Sequence, residues 1–76
     1  MYNPKKNGKR LKNLRQERNL TQEQVAKVCK LSHQAIAAYE NGTRNPTDET
    51  KIRLAKLYKR SVEEIFFAPI THKMRS

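Results

Sequence analysis

The stretch TQEQVAKVCKLSHQAIAAYENG, residues 21–42, decides the fold. Thr21 is followed three residues later by Gln24, just before Val25 and Ala26. In that spacing the threonine hydroxyl accepts from an exposed backbone amide and the glutamine reaches back to the threonine amide, which opens a helix. A helix is therefore predicted from Gln22 to about Cys29, burying Val25, Ala26 and Cys29. Leu31 interrupts, and Ser32 offers another N-cap. A further helix is predicted from His33 to about Glu40, with Ile36 inward and Ala35 and Tyr39 beside it. Asn41-Gly42 ends it, glycine serving where the chain needs a positive φ.

Two short helices of this kind are not stable alone. They must brace one another against a common core, which is the physical content of a helix-turn-helix. Upstream, residues 7–18 place Leu11 and Leu14 three apart with Arg15 one step further round, the spacing of a first helix ending near Asn19. Leu20 then points back to the core. Downstream, Asn45-Pro46 favours an extended entry, and Thr47 caps a fourth helix with Asp48 and Glu49 in its first turn, the favourable sign at that end. Its predicted inner stripe is Ile52, Ala55 and Tyr58, with Leu54 or Leu57 flanking. Ser61 and Glu64 form a second capping box before a short fifth helix, whose apolar set is Val62, Ile65 and Phe66. The expected fold class is all-α with five short helices: one domain over residues 8–67, then a tail over 68–76. Phe67 and Ile70 follow a finished bundle, so the start of that tail is expected to contribute to dimerisation.

Composition bounds the function. The chain has 76 residues, enough for one domain with a modest core, and only three tyrosines and two phenylalanines. Lysine and arginine number 17 against 7 acidic residues, a net charge of +10. Such an excess implies a polyanionic partner, although a well-solvated surface is also compatible with it. No stretch pairs a long apolar face with an uninterrupted basic one, so membrane binding is not expected. Cys29 is the only cysteine, which excludes an intrachain disulfide and a thiolate metal cluster. Neither a signal-peptide core at Met1-Tyr2-Asn3-Pro4 nor a membrane span is present, and a cytoplasmic location is expected. Glu63 and Glu64 are adjacent and do not face each other on a helix. No Ser/His/Asp set, phosphate-cradling glycine loop or metal spacing occurs, and the two histidines, His33 and His72, make no metal site. No enzymatic activity, cofactor or metal is expected. With no room for a sensor domain, neither is a small-molecule effector.

At Thr21-Gln22-Glu23-Gln24-Val25-Ala26-Lys27, and again from Ile36 to Pro46, the chain resembles the Cro/C1 phage-repressor family of helix-turn-helix domains, the XRE-type regulators. The resemblance covers roughly residues 8–67. Its parts fall in the family order: Leu14-Arg15, Thr21-Gln22, Glu40-Asn41-Gly42, Pro46, and Ser61-Val62-Glu63-Glu64-Ile65-Phe66. It implies a lambda-repressor-like fold whose third helix enters the DNA major groove with its N-terminal part. Residue by residue, it implies that His33, Gln34 and Ala38 face the bases, with Ser32 and Ala35 close to them. Gln22 and Asn41 match positions that hold the sugar-phosphate backbone, and Arg44 lies in the following backbone-contacting loop. Arg15 and Glu40 match a partly buried ion pair that fixes the fold. Lys30 and Lys59 stand where the family commonly has glycine, Arg60 where it has an apolar residue, and Asp48 where an apolar residue is frequent.

The side chains carry chemistry of their own. The Gln34 amide donates and accepts together, matching the adenine edge, whereas without the motif it reads as a solvent-facing glutamine. His33 has three roles open to it: donor to a guanine acceptor, phosphate ligand, or occupant of an exposed first turn. Ala35, Ala37 and Ala38 let a helix approach closely, Ala35 or Ala38 touching a thymine methyl; alanine is equally the best helix former. Gln22 stands where exposed amides suit a phosphate, and Asn41 and Arg44 supply a clamp on the far side. Lys9, Arg10, Lys12 and Lys51 are candidates for the wider field. Tyr39 and Tyr58 fall on inward positions, which favours packing over stacking on single-stranded bases.

The expected function is a sequence-specific, double-stranded DNA-binding transcriptional regulator. It would be a homodimeric repressor on a palindromic operator, paired through Ile65, Phe66, Phe67 and Ile70, with recognition helices about 34 Å apart. A protein-interaction module that keeps the fold, and a nonspecific nucleic-acid compactor, are the other classes compatible with the sequence.

Overall fold

A computed structural model of the chain describes residues 4–67. Four α-helices follow in order, α1 (Pro4–Glu17), α2 (Gln22–Cys29), α3 (His33–Asn41) and α4 (Asp48–Tyr58), and then a short π-helical segment, α5 (Glu63–Phe67). The result is the all-α, five-helix, lambda-repressor-like architecture. Ile70 and the rest of the tail lie outside the described residues.

Local chemistry starts the helices. Thr21 Oγ1 accepts from the Gln24 amide at 3.1 Å while Gln24 Oε1 accepts from the Thr21 amide at 2.8 Å, a complete capping box. Ser32 Oγ accepts from the Ala35 amide at 3.0 Å, and Thr47 Oγ1 from the Thr50 amide at 3.2 Å. Ser61 and Glu64 repeat the reciprocal arrangement at 3.0 and 2.8 Å. Each such cap contributes about 1 kcal/mol. The helix ends are equally defined: Lys30, Gly42 and Lys59 close α2, α3 and α4 in the left-handed region, at φ 59°, 79° and 56°. There the amides of Leu31, Thr43 and Arg60 reach back to the carbonyls of Ala26, Ala38 and Ala55.

α1 begins one turn earlier than Asn7, the start expected from its apolar spacing. Proline fits a first helical turn, where its missing N–H is no loss, and the added turn is anchored by tertiary contacts. Asn7 is buried and its Nδ2 donates to the Phe66 carbonyl at 3.0 Å. Arg10 donates to the Ile65 carbonyl at 3.0 Å and to Asn7 Oδ1 at 3.1 Å. On the same helix, a Cβ at Gly8 would stand 2.3 Å from the Glu40 carbonyl oxygen, so α1 crosses the end of α3 with no room for a side chain.

The core comprises Leu11, Val25, Ala26, Cys29, Ala35, Ile36, Tyr39, Leu54, Ala55, Tyr58, Ile65 and Phe66, with Leu14, Leu20, Leu31, Leu57 and Val62 packed partly against it. Two sequence expectations need correction. Ile52 does not face inward: it is 48% exposed, and the buried face of α4 is Thr50, Lys51, Leu54, Ala55 and Tyr58. Leu54 and Ile52 are two positions apart, about 200° round the helix, so with Leu54 inside Ile52 must be outside. Ile65 and Phe66 are not available as a dimerisation surface, because both are buried in the core of the chain at 1% and 0% exposure. Of the expected dimerisation residues, Phe67 alone is both described and exposed, at 43%.

Candidate nucleic-acid interface

α2 and α3 hold each other through a chain of polar contacts that starts in the core and ends on the surface. Arg15 of α1 grips Glu40 of α3 at two points, Nε to Oε2 at 2.7 Å and Nη2 to Oε1 at 3.0 Å, and its Nη1 donates to the Leu20 carbonyl at 2.9 Å. The Glu40 side chain is only 3% exposed and that of Arg15 12%. The hydrogen bonds it donates to Glu40 hold the Arg15 guanidinium above its ordinary pKa, against the opposing effect of burial. Gln22, the first residue of α2, donates its Nε2 to Glu40 Oε1 at 3.1 Å. Its Oε1 lies 2.8 Å from Nε2 of His33, the first residue of α3. The expected Arg15–Glu40 pair thus has its geometry, and it extends outward to the first turn of α3.

Around that chain α3 divides into two faces. Ser32, His33, Gln34 and Asn41 are exposed, Ala37 and Ala38 are half-buried, and Ala35, Ile36, Tyr39 and Glu40 are buried. Ala35 is therefore removed from the base-facing set: at 5% exposure its methyl packs in the core and cannot reach a thymine. Ser32 is exposed, but its oxygen caps α3, leaving the hydroxyl proton for an outside acceptor. Gln22 keeps one of its two amide hydrogens unengaged once Glu40 has taken the other. Gln34, Asn41 and Arg44 are exposed, and none has a hydrogen bond or ion pair to another side chain among the described residues.

Basic groups flank this face unequally. Lys5, Lys6, Lys9 and Lys12 of α1 line one groove together with Asn41 and the rim of Glu40. Lys5 and Lys6 were not anticipated, because the expected helix began after them; Pro4 at the first helical position was the available clue. Arg10 and Lys51 leave the candidate set. Arg10 is turned onto the carbonyl of Ile65. Lys51 is 7% exposed, with its ammonium 4.9 Å from the Phe67 ring centre, 5.8 Å from that of Phe66 and 3.8 Å from Asp48. Two further arginines are structural: Arg18 donates to the Tyr58 carbonyl at 2.6 Å and Arg53 to the Cys29 carbonyl at 3.1 Å, each satisfying a helix end.

Two further titratable groups, Tyr58 and Cys29, lie in the interior. Burial pushes up the pKa of the Tyr58 hydroxyl, as it does that of the Cys29 thiol, where nearby Arg53 offsets it in part. Among the described residues there is no group of three metal-ligating side chains and no helix long and apolar enough to cross a membrane.

This geometry has close parallels. The helix-turn-helix family profile matches residues 11–65. The HTH-type transcriptional regulator PuuR of Escherichia coli (strain K12) is 37% identical over 62 residues, 82% of this chain and 34% of PuuR. The cryptic phage CTXphi transcriptional repressor RstR of Vibrio cholerae is 39% identical over 56 residues, 74% of this chain and 50% of RstR. The chain thus spans about a third of the one relative and half of the other. Among solved structures, the restriction-modification controller protein C.AhdI from Aeromonas hydrophila superposes with a TM-score of 0.75 at 31% identity, over 80% of this chain and 92% of that one. The matched region takes in the capped α2 and α3, the Arg15–Glu40 pair and the turn between them, and by these the chain belongs to the helix-turn-helix family of Cro/C1-type regulators.

Proposed function

We propose that the chain is a sequence-specific, double-stranded DNA-binding transcriptional regulator that reads the major groove with α3 and acts as a homodimeric repressor on a palindromic operator. One observation carries this reading: α3 leaves His33, Gln34 and, half-buried, Ala38 on its outer side, while Ala35, Ile36, Tyr39 and Glu40 are buried and the Ser32 oxygen caps the helix. Asn41 shares a groove with the α1 lysines, and Arg44 stands exposed in the loop after α3; these groups suit phosphates, contacts that fix register without reading sequence. The description of RstR as a repressor supports the repressive direction. The dimer follows from economy of contacts, since one short helix meets few base pairs and a twofold axis doubles them.

The test is selection of bound duplexes from a randomised pool at physiological salt, followed by footprinting. Enrichment of a palindrome with half-sites about one helical turn apart is expected. Equal affinity for unrelated duplexes, with a steep salt dependence, would instead identify a nonspecific binder.

A further inference from the structure

The contacts between α1, α2 and α3 have a directionality that reaches the DNA-reading face. Glu40, gripped at two points by the Arg15 guanidinium, has only acceptor oxygens to offer. Gln22 therefore turns its amide nitrogen toward Glu40, at 3.1 Å, and this leaves its carbonyl oxygen against His33. A carbonyl oxygen cannot donate. The contact of 2.8 Å between Gln22 Oε1 and His33 Nε2 is a hydrogen bond only if Nε2 carries the hydrogen. A neutral imidazole has one such hydrogen, so Nδ1 is then bare, and it has no hydrogen-bond partner among the described residues.

We infer that Gln22, oriented by the Arg15–Glu40 pair, fixes His33 as the Nε2–H tautomer and thereby makes it an acceptor toward DNA. Gln22 is a positioning residue, and the specificity resides in the ring it orients. An acceptor at Nδ1 matches the exocyclic amino group of cytosine or adenine and finds no partner in guanine N7 or O6, which are themselves acceptors. The reading of His33 as a donor to guanine is thereby replaced by its complement. This inference rests on the DNA-reading role of α3, but its first half concerns the free protein alone.

Two measurements test it on the full chain. Long-range proton–nitrogen NMR in mildly alkaline buffer, with the His33 resonance assigned against His33→Gln, is expected to show a protonated Nε2 and a bare Nδ1. The reverse pattern, or the averaged pattern of a free imidazole, would overturn the tautomer assignment. The Gln22→Leu variant, checked for fold by its spectrum, is expected to move His33 to that averaged pattern; an unchanged pattern would show that Gln22 does not set it. In selection from a randomised duplex pool, the wild-type chain is expected to prefer an amino-bearing base beneath His33 by roughly tenfold, and Gln22→Leu to lose most of that preference. Guanine at that position, within an otherwise enriched motif, would overturn the inference while leaving DNA reading intact. No enrichment at any position would overturn the DNA reading itself, whatever the tautomer.

Discussion

Gly8 shows how a single position can reverse an expectation. In an exposed helix interior, replacing glycine with alanine gains about 1 kcal/mol. Here the added methyl would meet the Glu40 carbonyl oxygen at 2.3 Å and that of Tyr39 at 2.7 Å, backbone atoms that cannot swing aside. Gly8→Ala is expected to lower stability by about 1–3 kcal/mol in urea titrations; an unchanged or higher midpoint would mean that α1 does not press on α3 in this way. Arg44 belongs to the same scale, because it stands exposed in the loop after α3. Arg44→Ala should weaken binding to all duplexes alike and flatten the dependence of log affinity on log salt by about 0.9. A change in sequence preference alone would assign it to base reading. Residue identities were only partly legible in the sequence. Asn7, Arg10 and Lys51 are polar and read as surface, yet the acceptor for Asn7 lies 59 residues away in Phe66, beyond the reach of any local pattern.

At the scale of elements, what is local was legible and what is long-range was not. The caps at Thr21, Ser32, Thr47 and Ser61 lie within three residues of their partners, so spacing alone located α2 and α3 and the starts of the later helices. The inner face of α4 was misread because Ile52, Ala55 and Tyr58 keep a three-residue step, while burial follows a four-residue step through Leu54 and Tyr58. The helix ends yield a prediction. Lys30 and Lys59 hold left-handed backbone angles that a side chain disfavours, at positions where glycine was expected. Lys30→Gly and Lys59→Gly are each expected to raise stability by about 1 kcal/mol, measured by thermal or urea unfolding. A loss in either case would reveal a contact of the lysine side chain that outweighs the backbone gain.

For the whole molecule, the burial of Ile65 and Phe66 reshapes the association proposal. The core claims the residues first assigned to the interface, and Phe67 is left as the exposed aromatic at the end of the bundle. Phe67→Ser is therefore expected to weaken self-association roughly tenfold or more in sedimentation equilibrium, with helical content preserved. An unchanged association constant would exclude Phe67 as a dimer contact, and a monomer on DNA across micromolar protein would remove the dimer altogether. The sequence placed Phe66 both in the apolar set of the fifth helix and at the interface; Phe66 and Phe67 are identical side chains, and the direction α5 gives each one sends the first to the core and the second to the surface.

The two-faced division of α3 has a consequence for how such a protein changes over time. Ile36, Tyr39 and Glu40 are tied to the interior, whereas Gln34 and Ala38 bear on the outside of the same helix. A lineage could exchange the outer residues and acquire a new target while the scaffold tolerates the change, so recognition and foldability are nearly independent traits. His33 is the exception. Its partner Gln22 is wired to the interior, and an inherited change at one would favour a compensating change at the other.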